Sequence, residues 1–268
     1  MDNRPIGVFD SGIGGLTVLK EIIKELPNEG IIYLGDTARV PYGIRSPETV
    51  TRYSIENASF LASKGIKMLI VACNTASAIS LDGIREKFNI PVLGVISPGA
   101  RAAVAATRNK KIAVIGTEAT INSNAYTKHI KSLAPEMEVI GLACPLFVPL
   151  VEEGLNDDEI ARLVARRYLS GLVDKEIDTL VLGCTHYPLL KDVIAETVGK
   201  DIVLIDSAVE TAREAKVLIQ ERGMGSNKET DPLRKFYVTD SPERFKRVGE
   251  RFLGGFIKDI EKIYIGGF

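Results

Sequence analysis

Short apolar runs punctuate the chain at residues 6–9, 31–34, 68–72, 92–95, 112–115, 139–142, 179–182 and 202–205. Each is strand-length and apolar throughout rather than alternating, as a parallel sheet buried on both faces requires. Between them, residues 16–26, 48–63, 76–88, 157–172 and 208–221 carry apolar side chains at three- and four-residue intervals, the period of amphipathic helices. Alternating strand and helix predict a parallel α/β architecture. Ligands in such folds bind beyond the carboxyl ends of the strands, so the residues that follow each run carry the functional argument.

Those residues are polar and reactive. Asp10-Ser11-Gly12 follows the first run, Gly35-Asp36-Thr37 the second and Cys73-Asn74-Thr75 the third, with Gly116-Thr117 and Cys184-Thr185-His186 after later ones. Two segments match each other. Leu69-Ile-Val-Ala-Cys-Asn-Thr75 and Leu180-Val-Leu-Gly-Cys-Thr-His186 each consist of an apolar run, a small residue, a cysteine and polar residues that open a helix. Val8-Phe-Asp-Ser11 pairs in the same way with Ile115-Gly-Thr-Glu118. The expected organisation is two similar, doubly wound α/β domains, with mainly parallel sheets facing each other across a cleft. The first is discontinuous, residues 1–96 and 207–268, and the second is residues 97–206. The polar stretch 223–232 reads as a loop or flap in the returning segment.

A repeated cysteine at a strand end suits one kind of chemistry. Racemisation without an electron-sink cofactor removes a poorly acidic α-hydrogen on one face and replaces it on the other, which calls for two opposed acid/base groups. The interconversion is nearly thermoneutral and the two groups swap roles with direction, so two residues of one type fit. Cys73 and Cys184 each precede a predicted helix, whose positive N-terminus favours a thiolate and can bind a carboxylate through free N–H groups. Pro188 fits the first turn of the second helix. Asp10 and His186 are candidate partners that hold or relay protons for the two thiols. Cys144, in Ala143-Cys-Pro145, has no duplicate and reads as structural, as does His129. Asp36 reads either as a turn cap or as a substrate-site residue, and Gly12, Gly14 and Gly15 as turn formers as well as ligand contacts.

Composition narrows the partners. With 45% hydrophobic and 26% charged residues the chain is an ordinary globular one. Thirty-four basic against 35 acidic residues leave a formal charge of −1, so neither nucleic acid nor an anionic membrane is an expected partner and a small molecule is. No basic region followed by an apolar run opens the sequence, and no apolar stretch approaches the roughly 20 residues of a spanning helix, which predicts a cytoplasmic protein. Three cysteines without CxxC spacing predict reduced thiols rather than disulfides or a metal site.

Two rivals use the same residues differently. The first strand, its glycines and Asp36 imitate a dinucleotide fingerprint, but counting G-x-G-x-x-G from Gly12 puts Thr17 where the third glycine belongs. A two-lobed amino-acid-binding or sensing protein would use the cleft without turnover, and solvent-deuterium exchange at the ligand α-carbon separates it from an enzyme.

Four blocks carry a family resemblance: Phe9-Asp-Ser-Gly-Ile-Gly-Gly15, Gly35-Asp-Thr-Ala-Arg-Val-Pro-Tyr-Gly43, Ala72-Cys-Asn-Thr-Ala-Ser77 and Gly183-Cys-Thr-His-Tyr-Pro188. In order and spacing, over essentially the whole chain, they resemble the glutamate racemases of the aspartate/glutamate racemase superfamily. The resemblance implies interconversion of L- and D-glutamate for peptidoglycan synthesis with no cofactor and no metal, and is consistent with a homodimer. It assigns Cys73 and Cys184 as acid/base groups, Asp10 beside the former and His186 with Glu152 beside the latter. Substrate contacts fall on Asp10, Ser11, Pro41, Tyr42, Gly43, Asn74, Thr75, Thr185 and His186, with Thr117 and Thr120 as further ones. Relatives acting on aspartate or hydantoins tend to carry glutamate after the second Cys-Thr. His186 stands there in this chain, which favours glutamate over aspartate, the alternative substrate.

Overall fold

The computed structural model describes residues 1–227 and 232–266. Along the chain come β1 (Ile6–Asp10), α1 (Leu16–Glu25), β2 (Ile31–Gly35), α2 (Pro47–Ser63), β3 (Met68–Val71), α3 (Asn74–Lys87) and β4 (Val92–Gly94). Next are α4 (Ile96–Ala106), β5 (Lys111–Gly116), α5 (Glu118–Asn122), α6 (Ala125–Leu133), β6 (Glu138–Ala143), α7 (Phe147–Glu153) and α8 (Glu159–Val173). The last are β7 (Thr179–Gly183), α9 (Lys191–Val198), β8 (Val203–Asp206), α10 (Ser207–Glu221), β9 (Arg234–Val238), α11 (Pro242–Leu253) and β10 (Ile260–Lys262). All eight predicted strands and all five predicted helices are present. Of the predicted loop or flap at 223–232, residues 228–231 lie outside the described residues, and 224–227 have no regular structure.

The strands form two sheets, ordered β10-β9-β2-β1-β3-β4 and β6-β5-β7-β8, with every pair parallel. Their common part has one topology: β2-β1-β3-β4 maps onto β6-β5-β7-β8. The match between the two cysteine segments is thus repeated at the level of topology, with Cys73 and Cys184 each following the third strand of its sheet. Parallel pairing explains the unbroken apolar runs, since β1, β2, β3 and β7 are buried along their whole length. Edge strand β6 has no buried residue, its positions being exposed or half-buried.

Helices pack on both faces of the first sheet, α1 with α10 and α11, α2 with α3. One apolar cluster runs from Val8 and Tyr33 in the first sheet to Ile115 and Leu180 in the second. The chain returns along α10, which packs on both α1 and α4, before adding β9 and β10 to the first sheet. The six-stranded sheet is thus built from both ends of the sequence and the four-stranded sheet from its middle.

Candidate active site

In each sheet the chain leaves the central strand toward one edge and its neighbour toward the other, opening a crevice at their carboxyl ends. Cys73 sits at that point of the first sheet. It is the N-cap of α3, with Sγ accepting from the Ala76 N–H at 3.5 Å and donating to Ser11 Oγ at 3.6 Å. Asp10 is buried beside it. One carboxylate oxygen accepts from the Gly12 N–H at 2.9 Å, and Oδ1 is buried without a partner. Asn74 accepts from the Tyr126 hydroxyl at 2.8 Å through Oδ1, which fixes the amide and leaves Nδ2 buried and free to donate.

The sequence predicts a thiol eased toward its thiolate by the helix terminus. At Cys73 the opposite holds. Burial pushes the thiol up to about 12, and the charge of Asp10 adds to the effect. Hydrogen bonds from the Ala76 N–H and from Ser11 favour the anion, but they do not repay desolvation. Burial also raises the Asp10 carboxyl.

Cys184 has different company. His186 Nδ1 lies 3.9 Å from Cys184 Sγ, and its Nε2 lies 3.2 Å from Glu152 Oε1. Burial alone would discharge the imidazolium, but hydrogen bonds and charge from Cys184 and Glu152 outweigh it and hold His186 up at about 10. Burial likewise opposes the Glu152 carboxylate, which His186 and Arg244 nevertheless keep below its ordinary range. Pro188 opens a 3₁₀ turn over Tyr187–Leu190, with α9 starting only at Lys191. Cys184 therefore precedes a tight turn rather than the α-helical first turn that Pro188 suggests.

The first domain's leading loop locks this turn in place. The Thr17 hydroxyl lies 2.9 Å from the carbonyls of both Gly14 and Thr185. A Cβ on Gly14 would come within 2.2 Å of Thr185 Oγ1 and 2.5 Å of the His186 ring, and one on Gly15 within 2.4 Å of Asp10 Cβ. Neither glycine has a left-handed backbone, and nor has Gly12, so close approach rather than turning is what demands glycine at 14 and 15.

Both thiols line one cavity of about 160 Å³. Cavities of roughly 150 Å³ accept a benzene-sized molecule, so the space suits a compact ligand. Ser11, Pro41, Tyr42, Gly43, Asn74, Thr75, Thr117, Thr185 and His186 line it too, bringing eleven of the fourteen predicted site residues together. The other three stand behind the wall. Asp10 lies beneath Ser11, Glu152 behind His186, and Thr120 in a triangle of hydroxyls with Thr75 and Thr117, 2.9 to 3.2 Å apart. Val40, Ile44, Glu118, Pro145, Val148 and Pro149 complete the lining; Val40 lies in the 35–43 block and Glu118 in the 115–118 match, and the other four carry no motif that would mark them.

Asp36 does not line the cavity. It accepts from Tyr42, Arg39, Asn57 and Thr239, and so anchors the 42–44 turn that forms one wall. Cys144 is buried, its carbonyl accepting from Tyr187 at 2.8 Å. Among the described residues, no group of three or more His, Cys, Asp or Glu side chains is disposed to hold a metal ion, and no helix is long and apolar enough to cross a membrane.

A sequence model of the Asp/Glu/Hydantoin racemases matches residues 6–215. The chain belongs to this family. A glutamate racemase of Geobacter metallireducens is 58% identical over 97% of this chain and 96% of its own length. Among solved structures, a glutamate racemase isoform from Bacillus anthracis superposes with a TM-score of 0.95 at 43% identity, covering 98% of both chains. One from Francisella tularensis, in complex with D-glutamate, gives 0.93 at 44% identity, again covering 98% of both. The protein is thus an isomerase of the Asp/Glu/Hydantoin racemase family, with two parallel sheets and paired cysteines on a shared cavity. The residues this racemase hides from sequence reasoning are those acting from elsewhere in the chain, among them Tyr126 on Asn74 and Arg244 on Glu152.

Proposed function

We propose that this racemase interconverts L- and D-glutamate by direct proton transfer between Cys73, Cys184 and the substrate α-carbon, with no cofactor. The observation that carries the proposal is the presence of two cysteines, one from the third strand of each sheet, on one small cavity. In one direction the Cys73 thiolate takes the α-proton. The Cα–H bond breaks, an S–H bond forms, and the electron pair spreads onto the α-carboxylate. Cys184 then delivers its thiol proton to the opposite face and is left as the thiolate. The reverse direction swaps the two sulfurs.

Asp10 supports Cys73, and the His186–Glu152 pair supports Cys184. Burial and the Asp10 charge favour the thiol at Cys73. The substrate ammonium brings a positive charge into the cavity and favours the thiolate there. The unpartnered Asn74 Nδ2, with the hydroxyls of Ser11, Thr75 and Thr185, supplies donors for the substrate carboxylates. Glutamate is favoured over aspartate by His186 after Cys184-Thr185 and by the names of the relatives.

Residues 1–96 with 207–268 and residues 97–206 form the two domains in this reading, each contributing one sulfur. D-Glutamate made this way would supply peptidoglycan synthesis in the cytoplasm, and a homodimer accords with the family resemblance. The test is incubation of purified protein, with no cofactor added, with L-glutamate in heavy water, following optical rotation and α-deuterium together. Loss of rotation with label in both enantiomers is expected, with L-aspartate left nearly unchanged. Binding without label would identify a sensor instead.

A further inference from the structure

The acid/base pair at Cys184 is completed from the other sheet. Glu152 belongs to α7, yet α11, which lies between β9 and β10, holds it from two sides. Arg244 Nη2 donates to Glu152 Oε2 at 3.0 Å, and Arg251 Nη2 donates to the Glu152 carbonyl at 2.7 Å. The adjoining Phe252 meets the His186 ring edge-on at 5.2 Å between centroids. These three contacts come from one face of one helix. Gly154, whose backbone is left-handed at φ 83°, leaves room for the Arg251 guanidinium, whose Nη1 lies 2.0 Å from where a Cβ would fall.

A carboxylate has two oxygens to place. Here Oε1 faces His186 and Oε2 faces Arg244, so the arginine fixes the rotation of the group that orients the imidazole. Without it the glutamate is free to turn toward solvent. Glu153 is a weaker partner of the same arginine at 3.8 Å, and Arg247 lines the same surface cleft without a hydrogen bond to Glu152.

We infer that Arg244 is a positioning residue for proton transfer at Cys184, acting across the two sheets through Glu152 and His186. The inference rests on the two-thiol reading. It assigns the arginine an effect on one of the two transfers and not on the other.

The test compares wild type, Arg244→Gln, Arg244→Lys and the neighbouring control Arg247→Gln, using L- and D-glutamate with hydrogen or deuterium at the α-carbon. Arg244→Gln is expected to lower kcat/KM about tenfold, a fraction of the ~10²–10⁴ that a positioned acid/base supplies. The enantiomers are equal in free energy, so the loss is equal in both directions and the isotope effects carry the diagnosis. As transfer at Cys184 becomes limiting, the α-deuterium effect on kcat/KM rises for the enantiomer whose hydrogen faces Cys184. It falls for its mirror image, whose abstraction by Cys73 becomes reversible. Arg244→Lys should restore part of both changes, and Arg247→Gln should leave both effects at wild-type values. Isotope effects that stay unchanged in Arg244→Gln, or shift in the same sense for both enantiomers, overturn the inference while the two-thiol reading stands. A wild-type protein that does not racemise overturns both, and this is seen before any variant is made.

Discussion

The turns at Cys73 and Cys184 are near-copies in sequence and opposites in electrostatics. Cys73 lies beside a buried carboxylate and a hydroxyl, and burial with the Asp10 charge pushes its thiol up to about 12. Cys184 lies beside an imidazole held as its cation up to about 10. The duplicated strand and cysteine supply two sulfurs with equal intrinsic chemistry. Their neighbours then bias one toward holding a proton and place positive charge beside the other. In the proposed two-base reaction this asymmetry suits the form in which Cys73 holds the proton, and the substrate must offset it in the form in which Cys73 acts as the base.

The largest test of the comparison is to remove each sulfur in turn. Cys73→Ser and Cys184→Ser are each expected to abolish racemisation, a loss of at least the ~10²–10⁴ attributed to a positioned acid/base. One-way α-proton exchange should survive from only one enantiomer in each variant, and from opposite enantiomers in the two. Deuterium incorporation followed beside circular dichroism reads this directly. Full racemisation by either variant would show that the sulfurs are not the acid/base pair.

A smaller effect separates the turns through packing. At Gly14 an added methyl meets Thr185 and His186, so Gly14→Ala must displace the Cys184 turn and leave the Cys73 turn in place. Overpacking of this kind costs about 1–3 kcal/mol, and a tenfold or greater fall in kcat/KM should accompany it. Gly83→Ala is the matched control. It lies inside α3, its new Cβ meets nothing, and better helix propensity should stabilise the protein by roughly 0.5–1 kcal/mol. Urea denaturation and activity measured together test both, and a fully active Gly14→Ala protein would mean that the His186 turn tolerates displacement.

What was legible in the sequence follows the same division. Parallel strands buried on both faces announce themselves as apolar runs, and the residues at their ends mark the site, so β1 to β8 and the two cysteines were readable. The alanine-rich α4 and the proline-interrupted segment around α7 lack a clear three-to-four-residue apolar rhythm. Glu152, within α7, came from the family resemblance and not from periodicity. The electrostatics were less accessible still. Proximity to a helix N-terminus is visible in the sequence, but burial is a property of the assembled cavity, and at Cys73 burial wins. Arg244 and Glu152 are brought together only by the returning chain, and no local pattern in either segment signals it.

The finest test titrates the asymmetry. The imidazolium of His186 is held at about 10 in the folded protein against an ordinary 6.5. Its raised value means that its contribution to stability is complete below about pH 6.5 and is lost as the pH climbs through 10. Between pH 6.5 and 9 this loss is largely separable from the buried thiols Cys73 and Cys144. Their raised values of about 12 remove stability only once the unfolded thiols ionise, near 9. Unfolding free energy should therefore decline across pH 6.5 to 9 in the wild type. The decline should be shallower in Glu152→Gln, which loses one of the two partners that keep His186 charged. Cys73→Ser should leave this part of the curve unchanged, because its sulfur lies on the other turn. Equal flattening by both variants would place Cys73 and the His186–Glu152 pair in one titrating network, and the contrast between the turns would then belong to their geometry rather than their charge.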